Sequence, residues 1–266
     1  MKIIEFANQK GGVGKTSLLV QTAFYMTEFL KARVLVIDTD SSHNVTTSFS
    51  EAIKSPQRKG FIFPKYIDGI PASVLFTKEI SVPTLPDDSP ALFYFAGNNR
   101  LADIEQNIGI NHAAATFSKN IVALDKLFDY CLIDTPPVWG TKTRAVLLCT
   151  DYLVSPIELM LYSLQGIVSL KEAVQTAQRI NKRLKFLGMI PNKVDRRKPR
   201  TDESLNVVRK TFGKDVLPFT IGNRASMEIA TEKGIPIWHI KKTTAKVAAE
   251  EFIKFAEYIC NAMEKS

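Results

Sequence analysis

Lys10-Gly11-Gly12-Val13-Gly14-Lys15-Thr16 is the stretch whose reading decides the fold. Lys2 to Ala7 before it reads as a short apolar strand, and Ser17 to Leu30 after it reads as a helix. Strand, loop, helix is the order a phosphate-binding loop requires. Three glycines within four residues let the backbone curl until its N–H groups converge on an anion, and the helix N-terminus adds its positive dipole end. Lys15 is placed to reach β- and γ-phosphate oxygens, and the Thr16 hydroxyl to ligate the Mg²⁺ bridging them. The nucleotide-binding set read here is Gly11, Gly12, Val13, Gly14, Lys15, Thr16 and Ser17. The general G-x-x-x-x-G-K-[ST] pattern calls for glycine where this chain has Gln9, and a second lysine, Lys10, follows.

Outward from the loop, Arg33-Val34-Leu35-Val36-Ile37-Asp38 is an apolar run ending in a carboxylate, as suits a parallel strand buried on both faces. Asp40 follows two residues later. Tyr130-Cys131-Leu132-Ile133-Asp134 repeats the pattern, and Thr135-Pro136-Pro137 after it reads as a stiff switch segment. In a parallel α/β sheet ligands bind beyond the carboxyl ends of the strands, which brings Asp38, Asp40 and Asp134 beside the phosphates. Asp151 to Pro156 and Phe186 to Pro191 read as further strands. Leu92 to Ala96 reads as another. Tyr162 to Arg183 reads as an amphipathic helix with apolar positions at Leu164, Ile167, Val168, Leu170, Val174, Ala177 and Ile180. Ala245 to Met263 reads as a last helix with Val247, Phe252, Ile253, Ala256, Ile259 and Cys260 on its apolar stripe. The least regular stretch, about 50–90, is rich in Pro, Gly and charge, with a short helix expected near Ala72 to Phe76 and with Arg58, Lys59 and Lys65 exposed.

Length bounds the rest: 266 residues suit one large domain, and no apolar run approaches the roughly 20 residues of a membrane span. A cytoplasmic protein is expected, since the chain enters a strand with no apolar leader. Cys131, Cys149 and Cys260 are scattered, with no pair spaced for a metal or redox motif, and read as small buried hydrophobes. The net charge of +8 is local: Arg179 to Lys214 holds 12 Lys or Arg against 3 Asp or Glu. Arg196, Arg197, Lys198 and Arg200 form its exposed centre, and Arg224, Lys233, Lys241, Lys242 and Lys246 form a second set. Such a patch is either a solvated basic face or a surface for nucleic-acid phosphates without base readout, and the second reading means non-specific, salt-dependent DNA binding.

Asn8-Gln9-Lys10-Gly11-Gly12-Val13-Gly14-Lys15-Thr16 resembles the deviant Walker A motif of the ParA/MinD class of P-loop ATPases, and of ParA-type partition ATPases in particular. The resemblance runs from Lys2 to about Ile259. It implies a doubly wound, mostly parallel α/β sheet flanked by helices, with ATP and Mg²⁺ as ligands and a homodimer sandwiching ATP. It also implies non-specific DNA, held near the nucleoid, and a ParB-like centromere-binding protein as partners. Lys10 would then reach the phosphates held by the other subunit. Asp40 matches the carboxylate that activates water, and Lys10, Lys15 and Asp40 become the catalytic set. Thr16, Asp38 and Asp134 become the metal set, with Asp134 in the Walker B position. Asn192 matches an adenine-contacting position, though a turn-forming Asn is equally open, and Pro218 with Phe219 and Thr220 lies where the chain should pass the base. Ser41, Ser42 and His43 depart from the family's Pro-Gln-Gly, and His43 is either a donor to phosphate or a surface residue. The other readings are a MinD-like membrane-surface ATPase, which would need a more basic last helix, and a nucleotide-switched regulatory or conjugation accessory protein.

Overall fold

The computed structural model describes residues 1–54, 61–87, 89–159 and 163–265. Strands β1 (Lys2–Phe6), β2 (Arg33–Asp38), β3 (Lys65–Tyr66), β4 (Ala91–Phe95), β5 (Tyr130–Asp134), β6 (Tyr152–Ile157) and β7 (Lys185–Pro191) form one sheet. Its order is β3-β4-β2-β5-β1-β6-β7, and every pairing is parallel. Helices α1 (Lys15–Glu28), α2 (Asn44–Lys54), α3 (Arg100–Asn107), α4 (Ile110–Leu124), α5 (Thr141–Cys149), α6 (Ser163–Ile180), α7 (Thr201–Phe212), α8 (Ala225–Glu232) and α9 (Thr243–Glu264) flank it. The doubly wound P-loop sheet expected from the sequence is borne out.

The strands alternate between two helix layers because side chains along a strand point to opposite faces. Val34, Val36, Leu92, Leu132 and Val154 pack with α1, α2, α8 and α9. Leu35, Ile37, Phe93, Cys131 and Ile133 pack with α3, α4 and α5 on the other face. With both faces covered, the near-continuous apolar runs of β2, β4 and β5 become intelligible. All three cysteines are buried, as expected.

Several boundaries differ from expectation. Helix α1 starts at Lys15, two residues early, because Gly14 at φ 93° is itself the N-cap. The Ala72–Phe76 turn is a 3-10 helix, and α2 reaches Lys54 into the stretch expected to be irregular. Arg58, Lys59 and Tyr162 lie outside the described residues, as does the side chain of Leu164. In α6 Ile167, Leu170, Val174 and Ala177 are buried, whereas Ile180 is 71% exposed and Val168 is exposed as well. Val247 is also exposed, five residues before the buried Phe252 of α9. An apolar side chain on a helix flank needs a facing element, and sequence periodicity does not reveal whether one is there.

Candidate nucleotide site

Register brings the chemistry together. Phe6 of β1 and Asp38 of β2 both pair with Asp134 of β5, so three strands end at one level of the sheet. The phosphate loop, the Asp40 loop and the Thr135–Gly140 segment leave from those ends side by side. Between them a cavity of about 520 Å³ is lined by Gly11, Gly12, Gly14, Lys15, Thr16, Ser17 and Asp40 on its phosphate-loop side. Gly12 and Gly14 both have positive φ, 76° and 93°. Only glycine adopts those values without strain.

Asp134, Asp38 and Lys15 on this floor are buried and oriented. The Thr16 hydroxyl donates to Asp134 Oδ2 at 2.7 Å, while Asp134 Oδ1 is buried with no hydrogen-bond partner among the described residues. Burial pushes the Asp134 carboxyl up from its ordinary range, and the neighbouring Asp38 adds to the shift. Asp38 is buried too, and burial raises it likewise. It accepts from Thr46 N at 2.9 Å and Thr46 Oγ1 at 2.6 Å. Lys15 Nζ donates to Asn8 O at 3.2 Å. Burial lowers its pKa against the opposing pull of Asp134 and Asp40. Asp40 is half-buried and caps its own loop, accepting from Ser42 N at 2.9 Å.

A pair of hard oxygen donors, one with an unused lone pair, beside a loop of N–H groups fits Mg²⁺ carried on a nucleotide's phosphates. Among the described residues no group of three or more His, Cys, Asp or Glu could hold a metal alone.

A family model described as an AAA domain matches residues 1–186. Protein IncC of Escherichia coli is 36% identical over 99% of this chain and 70% of its own length. The chromosome partitioning protein ParA of Caulobacter vibrioides is 26% identical over 89% of this chain and 86% of its own. The chain belongs to the ParA-type partition ATPases of the P-loop family. Among solved structures, McdA of Cyanothece in its ATP complex superposes on this ParA-type chain with a TM-score of 0.77 at 17% identity, over 97% of this chain and 96% of that one.

Other residues take positions the sequence did not foretell. Asn192 is buried and donates to Val13 O at 2.8 Å, and a Cβ on Gly14 would collide with its amide. It braces the phosphate loop from β7, a role its place in a polar turn did not signal. Pro218 is exposed, with its carbonyl accepting from Arg209, and the cavity lining beyond the loop comes instead from α2, Lys193, Thr231 and Glu232. His43 stands at φ 54°, in the left-handed region that favours glycine. Its ring is half-buried, Nε2 has no partner among the described residues, and Gly97 lies close enough that a Cβ there would come within 2.9 Å of Cδ2. Lys10 Nζ is paired within its own chain to Glu158 at 2.5 Å, at the start of the β6–α6 connection.

The two basic sets of this ParA-type chain do come together. A cavity of about 400 Å³ lined by Arg196, Arg197 and Arg224 and one of about 810 Å³ lined by Lys233, Lys241 and Lys242 share Ala225, Ser226 and Thr244. Lys198 and Arg200 are exposed nearby in sequence but line neither. Arg197 is 85% exposed and pairs only with its local neighbour Asp195, 2.8 Å away, among the described residues. Arg224 is more tightly held, with Nη2 donating to Glu251 Oε1 at 2.6 Å and Nε to Oε2 at 3.2 Å.

Proposed function

We propose that this chain is an ATP-hydrolysing partition protein that dimerises around ATP, binds DNA non-specifically, and releases it after hydrolysis stimulated by a ParB-like partner. The observation that carries the reading is the Thr16–Asp134 pair with its unused oxygen, set directly against a glycine loop of left-handed residues. Thr16 and Asp134 would hold Mg²⁺, which when bound neutralises charge on the β- and γ-phosphates. Lys15 and the loop N–H groups orient the phosphates, and Asp40, on a half-buried loop at the cavity's edge, orients the attacking water. Asp38 acts behind it, fixing that loop through Thr46.

Lys10 must leave Glu158 to reach a nucleotide held by a second copy. Because the pair is partly exposed, its rupture costs little. The adjoining basic cavities supply the DNA surface: Arg196, Arg197, Lys241 and Lys242 are exposed, which leaves their charges available to phosphates.

The test is binding of the purified chain to a non-specific duplex with ATP·Mg²⁺, with ADP and without nucleotide, across a salt series, beside Arg197→Glu and Lys10→Ala. Tight binding only with ATP, falling with salt, weakened in Arg197→Glu and lost in Lys10→Ala, is expected. Binding indifferent to nucleotide would overturn the carried-on-DNA mechanism.

A further inference from the structure

Lys142 is a lysine in the core. It is 2% exposed, on the first turn of α5, where the side chains around it are those of an apolar layer. Burying an ammonium costs several kcal/mol unless partners compensate, and a hydrophobic residue of similar volume is commonly as stable or more so. Stability alone therefore does not account for a lysine at this position.

Its contacts connect two parts of the site. Lys142 Nζ donates to Leu101 O at 2.8 Å, in the first turn of α3. From α3 in return, Glu105 Oε2 accepts from Thr141 N at 2.6 Å and Oε1 from Lys142 N at 3.3 Å, so the carboxylate caps the free N–H groups of α5. A Cβ at Gly140 would displace the Glu105 carboxylate from this cap. At the other end Leu101 N donates to Asn98 O, and Gly97 N donates to Thr46 Oγ1 at 2.8 Å, the hydroxyl that itself donates to Asp38. Burial lowers the Lys142 pKa, with the charges of Glu105, Asp40 and Asp38 opposing the shift in that order.

A continuous path thus runs from the end of β2, through Thr46, the β4–α3 turn and Leu101, to Lys142 and the start of α5. The segment from Thr135 to Gly140, which follows Asp134 directly, is anchored at its far end by that contact. We propose that Lys142 is a positioning residue that ties the Thr135–Gly140 segment to the Asp38–Asp40 loop through α3, so that the two sides of the phosphate cavity change together when a nucleoside triphosphate enters. Without the amine, each loop answers to the nucleotide separately, and Asp40 loses its alignment with the phosphate held over Asp134. The inference rests on the ATPase reading above.

The test uses the full chain with Lys142→Met, which keeps the volume and removes the donor, and follows hydrogen–deuterium exchange with and without ATP·Mg²⁺, alongside ATP affinity and steady-state hydrolysis. In the wild type, ATP should slow exchange in residues 97–105 and 135–145 together. In the variant the protection is expected in 135–145 alone, with ATP affinity within about threefold and kcat lowered about tenfold at little-changed KM, in the range typical of a coupling free energy. Lys142→Arg, which restores a donor, should return part of the response at 97–105. Should Lys142→Met lose its cooperative melting transition, Glu105→Gln, which weakens the neighbouring α3–α5 contact to the Thr141 and Lys142 backbone N–H groups, carries the same measurement. Protection of 97–105 in the variant equal to that in the wild type overturns the coupling while leaving the ATPase reading intact. A wild-type chain that binds no ATP overturns both.

Discussion

The phosphate cavity and the basic face treat charge in opposite ways. At the cavity Asp38, Asp134 and Lys15 are buried, with Asp134 held by Thr16 from 118 residues away and Asp38 and Lys15 by partners eight and seven residues away. On the basic face Arg196 and Arg197 are exposed and bond to carboxylates only six and two residues away. Buried charges interact strongly because little water screens them, and each must be oriented or neutralised. Exposed pairs contribute little and exchange partners readily. The first arrangement suits chemistry at fixed geometry, and the second suits the exchangeable DNA contacts proposed above.

The largest effect expected is at the buried end. Asp134→Ala should lower ATP hydrolysis on the order of 10²-fold or more, read as phosphate release at saturating ATP. An exposed charge removed from the basic face should leave that rate unchanged when no DNA or partner is present.

Next comes Glu5, buried in the middle of β1 with Thr135 and Thr150 hydroxyls against its carboxylate. Burial pushes its pKa up from 4.5 to about 8, the two hydroxyls pull it down, and Asp134 adds a smaller push upward. Between those two values the folded chain keeps a proton that the unfolded chain has released. Stability therefore falls as pH rises through that window and levels off above it. Glu5→Gln should flatten the fall and stabilise the protein at pH 8 by on the order of a few kcal/mol, measured as melting temperature from pH 5 to 9.

Gly14→Ala should cost about 1–3 kcal/mol from its left-handed backbone, beyond which the new Cβ meets the Asn192 amide. Denaturant midpoints of Gly14→Ala with and without Asn192→Ala separate the two contributions: relief in the double variant measures the collision. The smallest effect belongs to the basic face. Arg197→Glu should leave the melting temperature unchanged while reducing the salt dependence of DNA binding by about one unit of slope per lost phosphate contact.

Much of the cavity was legible in the sequence because local signals coincide there. An apolar run long enough for a strand and ending in Asp marks β2 and β5, and a glycine loop between a strand and a helix marks the phosphate site. His43 was legible as a departure from pattern, but its packing on Gly97 was not, since Gly97 lies 54 positions away in the chain. The burial of Lys142, the Glu105 cap on α5, the Asn192 brace and the Arg224–Glu251 pair were also hidden. Each joins residues between 27 and 179 positions apart, a separation over which no local pattern speaks. Nor did periodicity distinguish Ile180 and Val247 from the buried members of their helices, because it reports the helix and not its neighbour.

By itself, the amino-acid sequence determined the strand–loop–helix that holds phosphates, the carboxylates at two strand ends, and the concentration of positive charge between Arg179 and Lys214. These depend on residue type and short-range order, where sterics and helix polarity act directly. The parallel register decided that Asp38 and Asp134 stand side by side, and helix packing decided that two basic sets separated in the chain line adjoining cavities. Which side chains hold the site rigid was decided only by folding, since a buried polar group takes whatever partner the tertiary structure places within hydrogen-bond reach.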